Sequence, residues 1–131
     1  KVKIIDRFSD CDSHIFVNGS LFEWVLENLC KNAVDAMTGE GRITIYALQE
    51  NDKVIVDVED TGKGIEKKNI KNVFRPGFTT KKRGWGLGLS LAKRIVEEYH
   101  DGKISVLRSE IGVGTTFRII LQAVKNEDCS K

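Results

Sequence analysis

The chain has 131 residues, 40% of them hydrophobic and 31% charged, which fits one ordinary globular domain and excludes a disordered polymer. Its formal net charge is +2 and no long basic stripe stands out, so nothing here supports nucleic-acid binding. Three widely spaced cysteines, Cys11, Cys30 and Cys129, form no C-x-x-C pair, which argues against a cysteine metal site and for a reducing compartment.

No apolar run approaches the ~18 to 20 residues that cross a bilayer, and the opening residues lack the pattern of a signal peptide. The chain starts on a strand-like run without an initiator methionine. It is therefore expected to be a piece of a longer protein, cytoplasmic in itself, whose parent could be membrane-anchored.

In chain order, residues 1–8 read as an edge strand. Residues 20–37 read as an amphipathic helix. Ser20 and Glu23 have the spacing of a capping box, and Phe22, Val25, Leu26, Leu29, Ala33 and Ala36 recur as one apolar stripe. Two strands follow, with Ile43, Ile45 and Ala47 on one side of the first and Val54, Val56 and Val58 on one side of the second. Asn51-Asp52 between them is a turn signal. From Asp60 to Gly88 the chain is rich in Gly, Lys and Thr, with a short helix predicted near 66–72. A helix from about Leu87 to Tyr99 carries the stripe Leu91, Ala92, Ile95, Val96 and Tyr99, and Gly102 is predicted to close it. Strands near 103–108 and 115–123 follow, with Phe117, Ile119 and Leu121 alternating. This order predicts an α+β fold, a two-layer α/β sandwich. It has a mostly antiparallel mixed sheet of about five strands and three helices on one face. Residues 125–131 read as a polar tail.

Four segments carry chemistry. Asn28 and Asn32 share one helix face, and an amide oxygen is a hard neutral ligand suited to Mg²⁺. Asp60-Thr61-Gly62-Lys63-Gly64 follows a strand; a carboxylate there can accept a hydrogen bond from an exocyclic amine such as that of adenine. Gly84-Trp85-Gly86-Leu87-Gly88-Leu89 opens a helix, where free N–H groups and the helix dipole attract phosphate. It is neither a P-loop nor a Rossmann fingerprint. Phe74 to Arg83 supplies two hydroxyls and several cations just before it. Each segment alone has a plainer reading: solvent-facing asparagines, a tight turn, a flexible lead into a helix, and a basic loop.

Order and spacing change that balance. The chain resembles the ATPase superfamily shared by gyrase, the Hsp90 chaperone, histidine kinases and the MutL repair protein, whose fold is the Bergerat ATP-binding fold. Glu27 to Ala33 resembles its N box, Asp60 to Ile65 its first glycine box, Phe74 to Lys81 the F box, and Gly84 to Ser90 its second glycine box. The F box, the run from Gly84 to Ala92 and the segment Tyr99 to Ile104 look specifically like histidine kinases. The likeness runs from about Ile4 to Leu121.

That resemblance implies a catalytic ATP-binding domain over residues 1–124, with ATP and Mg²⁺ as cofactors. Asn32 would hold Mg²⁺, with Asn28 supporting the metal or a phosphate. Asp60 would accept from adenine, backed by Thr115, while Gly62 and Gly64 wall the base pocket and Ile65 packs on the ring. Thr79, Thr80 and Lys81 would lie in a lid over the triphosphate, with Lys81 joining Asn32 in the transfer step. Gly84, Gly86, Leu87 and Gly88 would bring backbone N–H groups to phosphates. The implied partners are a histidine-bearing dimerisation domain of the same parent and a response regulator receiver domain. The piece itself would be monomeric and its parent a homodimer. Neither His14 nor His100 sits in the family's acceptor motif. Two positions depart from the family pattern. Asp35 stands where many members carry a basic residue, and Trp85 where a small or polar residue is usual. The competing readings are a nucleotide-binding interaction module without transfer activity, and a stand-alone anti-sigma-type serine kinase of the same superfamily.

Overall fold

The computed structural model describes residues 2–8, 19–37, 40–75, 88–99 and 101–122, with backbone only at 2–8, 19, 20 and 99. Five strands, β1 (Val2–Phe8), β2 (Gly41–Glu50), β3 (Lys53–Asp60), β4 (Lys103–Glu110) and β5 (Gly114–Gln122), form one sheet in the order β1-β2-β3-β5-β4. β1 runs parallel to β2 and every other pairing is antiparallel. The sheet is thus mixed, as expected. A parallel neighbour requires a crossover, and helix α1 (Gly19–Ala36) lies in it. α1 begins one residue before the Ser20 expected as its cap.

Alternation sorts the strands into two faces. Ile43, Val54, Val56, Val58, Ile104, Phe117, Ile119 and Leu121 are buried on the inner face, where α1 sets Val25, Leu29 and Ala33 against them. The outer face is polar and internally paired. Arg118 makes a bidentate contact with Asp57, both bonds 2.8 Å. Arg108 lies 3.7 Å from Glu59, and Tyr46 donates to the same carboxylate. The β2–β3 turn is where Asn51-Asp52 predicted it, with Asn51 in the left-handed region at φ 59°.

Helix α2 is a single turn, Lys67–Ile70. Helix α3 (Gly88–Arg94) passes into a π-helical turn, Ile95–Tyr99. Two expectations are corrected here. Leu91 is 41% exposed and stands outside the buried stripe, which is carried by Ala92 and Val96; successive helix positions lie about 100° apart, so with Ala92 facing the core Leu91 is turned to the flank. The left-handed residue closing the helix is Asp101, φ 55°, and not Gly102. Gly102 is needed for space: its N–H donates to Val96 O at 2.9 Å, and a Cβ there would stand 2.5 Å from Ile120 O. The predicted helix start at Leu87 and the polar tail lie outside the described residues.

Candidate functional site

The site is built where β3 ends. Asp60 is 6% exposed and its Oδ1 accepts from the Gly62 N–H at 2.8 Å and the Thr115 N–H at 3.3 Å. Among the described residues both bonds fall on Oδ1. Burial pushes the Asp60 carboxyl above the usual carboxylate range, against the lowering effect of those two N–H groups, and Glu59 adds to the rise. A buried carboxylate with one oxygen saturated by backbone is a fixed acceptor with a defined direction.

The loop after Asp60 is gripped on two sides. Gly62 lies against the end of α1, where a Cβ would come 2.7 Å from Ala36 Cβ and 2.8 Å from Ala36 O, and the Lys63 N–H donates to that same carbonyl at 2.9 Å. Gly64, at φ 82°, lies against the β4–β5 turn, with Glu110 O only 2.3 Å from a hypothetical Cβ. The Gly112 N–H closes this side on Lys63 O at 2.9 Å. Among the described residues, then, the contacts of the two glycines are with the frame of the loop. Ile65 is partly buried against the core.

The second end of the site is the start of α3. The Asn28 side-chain amide donates to Gly88 O at 3.0 Å, and a Cβ on Gly88 would meet Asn28 Oδ1 at 2.7 Å. Asn28, Asn32 and Ala36 form one row on α1. Its first member touches Gly88 and its last touches Gly62, a span of about 12 Å of helix. Asn32 stands midway, with its Nδ2 shut off from solvent.

Of the expected site residues, the structure therefore joins Asn28 to Gly88, and Asp60 to Gly62 and Thr115. Thr79, Thr80, Lys81, Gly84, Gly86 and Leu87 lie outside the described residues, as does Trp85. The entrance to that segment is fixed: Phe74 stacks edge-on against Phe117 with ring centroids 6.0 Å apart, and Lys93 Nζ lies 5.6 Å from its centroid. A separate open groove of about 530 Å³ is lined by Lys71, Phe74, Arg75 and the outer side of α3, away from Asp60.

Sequence reasoning missed Ser109. Its Oγ accepts from the Ile65 N–H at 2.7 Å, lies 2.7 Å from Thr115 Oγ1 and reaches Gly114 O at 3.3 Å. Thr115 accordingly backs Asp60 through its main chain, while its hydroxyl pairs with Ser109. Simple alternation along β4 puts Ser109 on the outer face with Ser105. A register shift between Val106 and Arg108 turns it inward, as a bulge does.

Among the described residues no cluster of three or more His, Cys, Asp or Glu could hold a metal ion. No described helix is long and apolar enough to cross a membrane.

Comparison with known proteins identifies the family and the fold. A family model for the histidine kinase-, DNA gyrase B- and HSP90-like ATPases matches residues 18–125. Sporulation kinase C of Bacillus subtilis (strain 168) is 32% identical over 122 residues, covering 92% of this chain and 28% of that protein. The signal transduction histidine-protein kinase AtoS of Escherichia coli (strain K12) is 40% identical over 121 residues, 89% of this chain and 20% of that protein. The chain thus spans a quarter or so of the length of these curated relatives. The nucleotide-free catalytic domain of the histidine kinase ThkA superposes with a TM-score of 0.82 at 30% identity, covering 92% of this chain and 78% of that one. ThkA in complex with the response regulator protein TrrA gives 0.78 at 31% identity, over 94% of this chain and 34% of that one. Matched over most of its length, the chain belongs to the family of histidine kinase-, DNA gyrase B- and HSP90-like ATPases, as an ATP-binding domain.

Proposed function

We propose that this domain binds Mg²⁺-ATP and transfers the γ-phosphoryl group to a histidine on a dimerisation domain of its parent protein, for relay to a response regulator receiver domain. The observation that carries the reading is the α1 row. Asn32 stands between a helix start fit for phosphate, at Gly88, and a buried carboxylate fit for adenine, at Asp60. The names of the relatives support the histidine acceptor, and the ThkA–TrrA complex supports the regulator.

In this reading Asp60 Oδ2 accepts from the adenine amine, Ile65 packs on the ring, and Gly62 and Gly64 hold the loop that walls the pocket. Asn32 holds Mg²⁺ through its amide oxygen, with Asn28 beside it. When bound, Mg²⁺ neutralises charge on the phosphates. Phosphoryl transfer asks a protein for positioning and charge neutralisation more than for covalent chemistry. Lys81, with Thr79 and Thr80, covers the triphosphate, and Gly84, Gly86, Leu87 and Gly88 offer N–H groups to it. The domain acts in the cytoplasm and brings no nucleophile of its own.

The test is labelled ATP with Mg²⁺. The chain alone acquires no stable label, whereas the parent's histidine-bearing domain, added in trans, acquires acid-labile label. The reaction is slow, because separation removes an effective concentration in the millimolar range. Label on a serine of a partner, or none on the histidine domain, overturns the proposal.

A further inference from the structure

We propose that Ser109, turned inward by the bulge in β4, is a positioning residue for base selection: it orients the Thr115 hydroxyl and fixes the Ile65 amide. The proposal rests on the reading of Asp60 as the adenine acceptor.

Without the bulge Ser109 would face outward. With it, Ser109 partners Thr115 across the strands, and Thr115 partners Asp60. The three residues therefore lie in one cross-strand row on the inner face, at the end of the sheet where the Asp60 loop begins. Thr115 is 5% exposed and Asp60 6%, so hydrogen-bond geometry in this row is exchanged for solvent only at a cost.

A serine hydroxyl has one hydrogen and two lone pairs. The Ile65 N–H at 2.7 Å takes one lone pair. The hydrogen has two acceptors within reach, Gly114 O at 3.3 Å and Thr115 Oγ1 at 2.7 Å. Given to Gly114, it leaves Thr115 to donate back to Ser109. Given to Thr115, it leaves the Thr115 hydrogen for an acceptor elsewhere. Adenine carries an unprotonated ring nitrogen, N1, next to its amine, whereas guanine carries N1–H there. A Thr115 donor next to the Asp60 acceptor matches adenine on two adjacent positions and opposes guanine on both. By donating to Thr115 Oγ1, Ser109 occupies a lone pair of that hydroxyl and biases it to donate to a base rather than accept from one, which disfavours guanine N1–H, and through the Ile65 amide it holds the loop beside Asp60.

The experiment compares ADP and GDP affinities of the 131-residue chain by competition against a fluorescent ADP analogue, for wild type, Ser109→Ala, Ser109→Thr and Asp60→Asn. The ratio of the two affinities does not depend on what fraction of a variant folds. Ser109→Ala is expected to reduce the ADP-over-GDP ratio about tenfold, the scale of one lost hydrogen bond. It should also speed hydrogen exchange at the Ile65 amide, and Ser109→Thr, which keeps a hydroxyl, should restore most of the ratio. An unchanged ratio in Ser109→Ala, even with both affinities lowered, makes Ser109 merely structural and overturns the proposal. Asp60→Asn separates the two claims. If it leaves the ratio intact, the base assignment itself fails. If it collapses the ratio while Ser109→Ala does not, only the role of Ser109 falls.

Discussion

Replacing Asp60 by asparagine changes one atom and has a calculable effect. Oδ1 is committed to the N–H groups of Gly62 and Thr115, at 2.8 and 3.3 Å. Asparagine keeps that oxygen in place and puts an NH₂ group where Oδ2 was. The adenine amine then meets a donor in place of a charged acceptor. Flipping the amide only transfers the conflict to two buried backbone N–H groups. Loss of a hydrogen bond to a charged group costs roughly 1.5 to 3 kcal/mol, so ADP affinity should fall about tenfold to a hundredfold. Guanine, with an oxygen at the same position, would gain a partner. Titration calorimetry with ADP and GDP at neutral pH reads both changes; ADP bound by Asp60→Asn as tightly as by wild type refutes the reasoning. The pH dependence follows from the raised carboxyl pKa. Acceptance from the amine needs the ionised form, so wild-type affinity should fall as pH drops through that raised value, and the Asn variant should not show the step. For the fold the sign is opposite. The cost of the buried charge is absent below the ordinary carboxylate value and fully present above the raised one. Asp60→Asn should therefore unfold at a higher temperature than wild type at neutral pH, and lose that advantage in acid.

Asn32→Ala should abolish Mg²⁺-dependent phosphoryl transfer to the histidine domain while lowering metal-free ADP affinity much less; normal transfer would remove Asn32 from the metal site. Gly62→Ala sets a methyl 2.7 Å from Ala36 Cβ and 2.8 Å from its carbonyl. At roughly 1 to 3 kcal/mol for overpacking, it should lower the melting temperature by about 4 to 12 °C, read by circular dichroism. On the outer face, a double-mutant cycle on Asp57 and Arg118, whose side chains are 13% and 30% exposed, should give a coupling of about 1 kcal/mol by urea denaturation. A value near zero would show that the two parallel bonds are not kept in solution.

Much of the fold was legible because its periodicities are clean. Val25, Leu29 and Ala33 on α1, and Val54, Val56 and Val58 on β3, are buried as their spacing predicted. The failures have local causes that apolar spacing does not carry. On α3 the apolar residues Leu91 and Ala92 are adjacent, and only one of two neighbours about 100° apart can face the core squarely; Ala92 does and Leu91 is exposed. The bulge in β4 reverses Ser109 between faces, and no pattern of apolar residues announces it. The glycines were noticed, but flexibility is a local property and their use here is not. Gly62 faces α1 and Gly64 faces the β4–β5 turn, contacts that exist only once distant elements have met.

The pairing of β3 with β5 has a consequence for how the molecule assembles. β2–β3 and β4–β5 are each local ladders closed by short turns, and such units form early and fast. The β3–β5 ladder joins them across a separation of 61 residues at Asp57–Arg118 and 55 at Asp60–Thr115. Asp60 and Thr115 come from opposite sides of this seam, so the base site proposed above would have no existence in either half alone. A nucleotide that binds there selects the joined state over any species in which the halves have separated. At a hundred times its dissociation constant it should hold the seam closed by about 2.7 kcal/mol. On that placement the ligand would act also as a clasp, and exchange of the β3 and β5 amides should slow together when it binds.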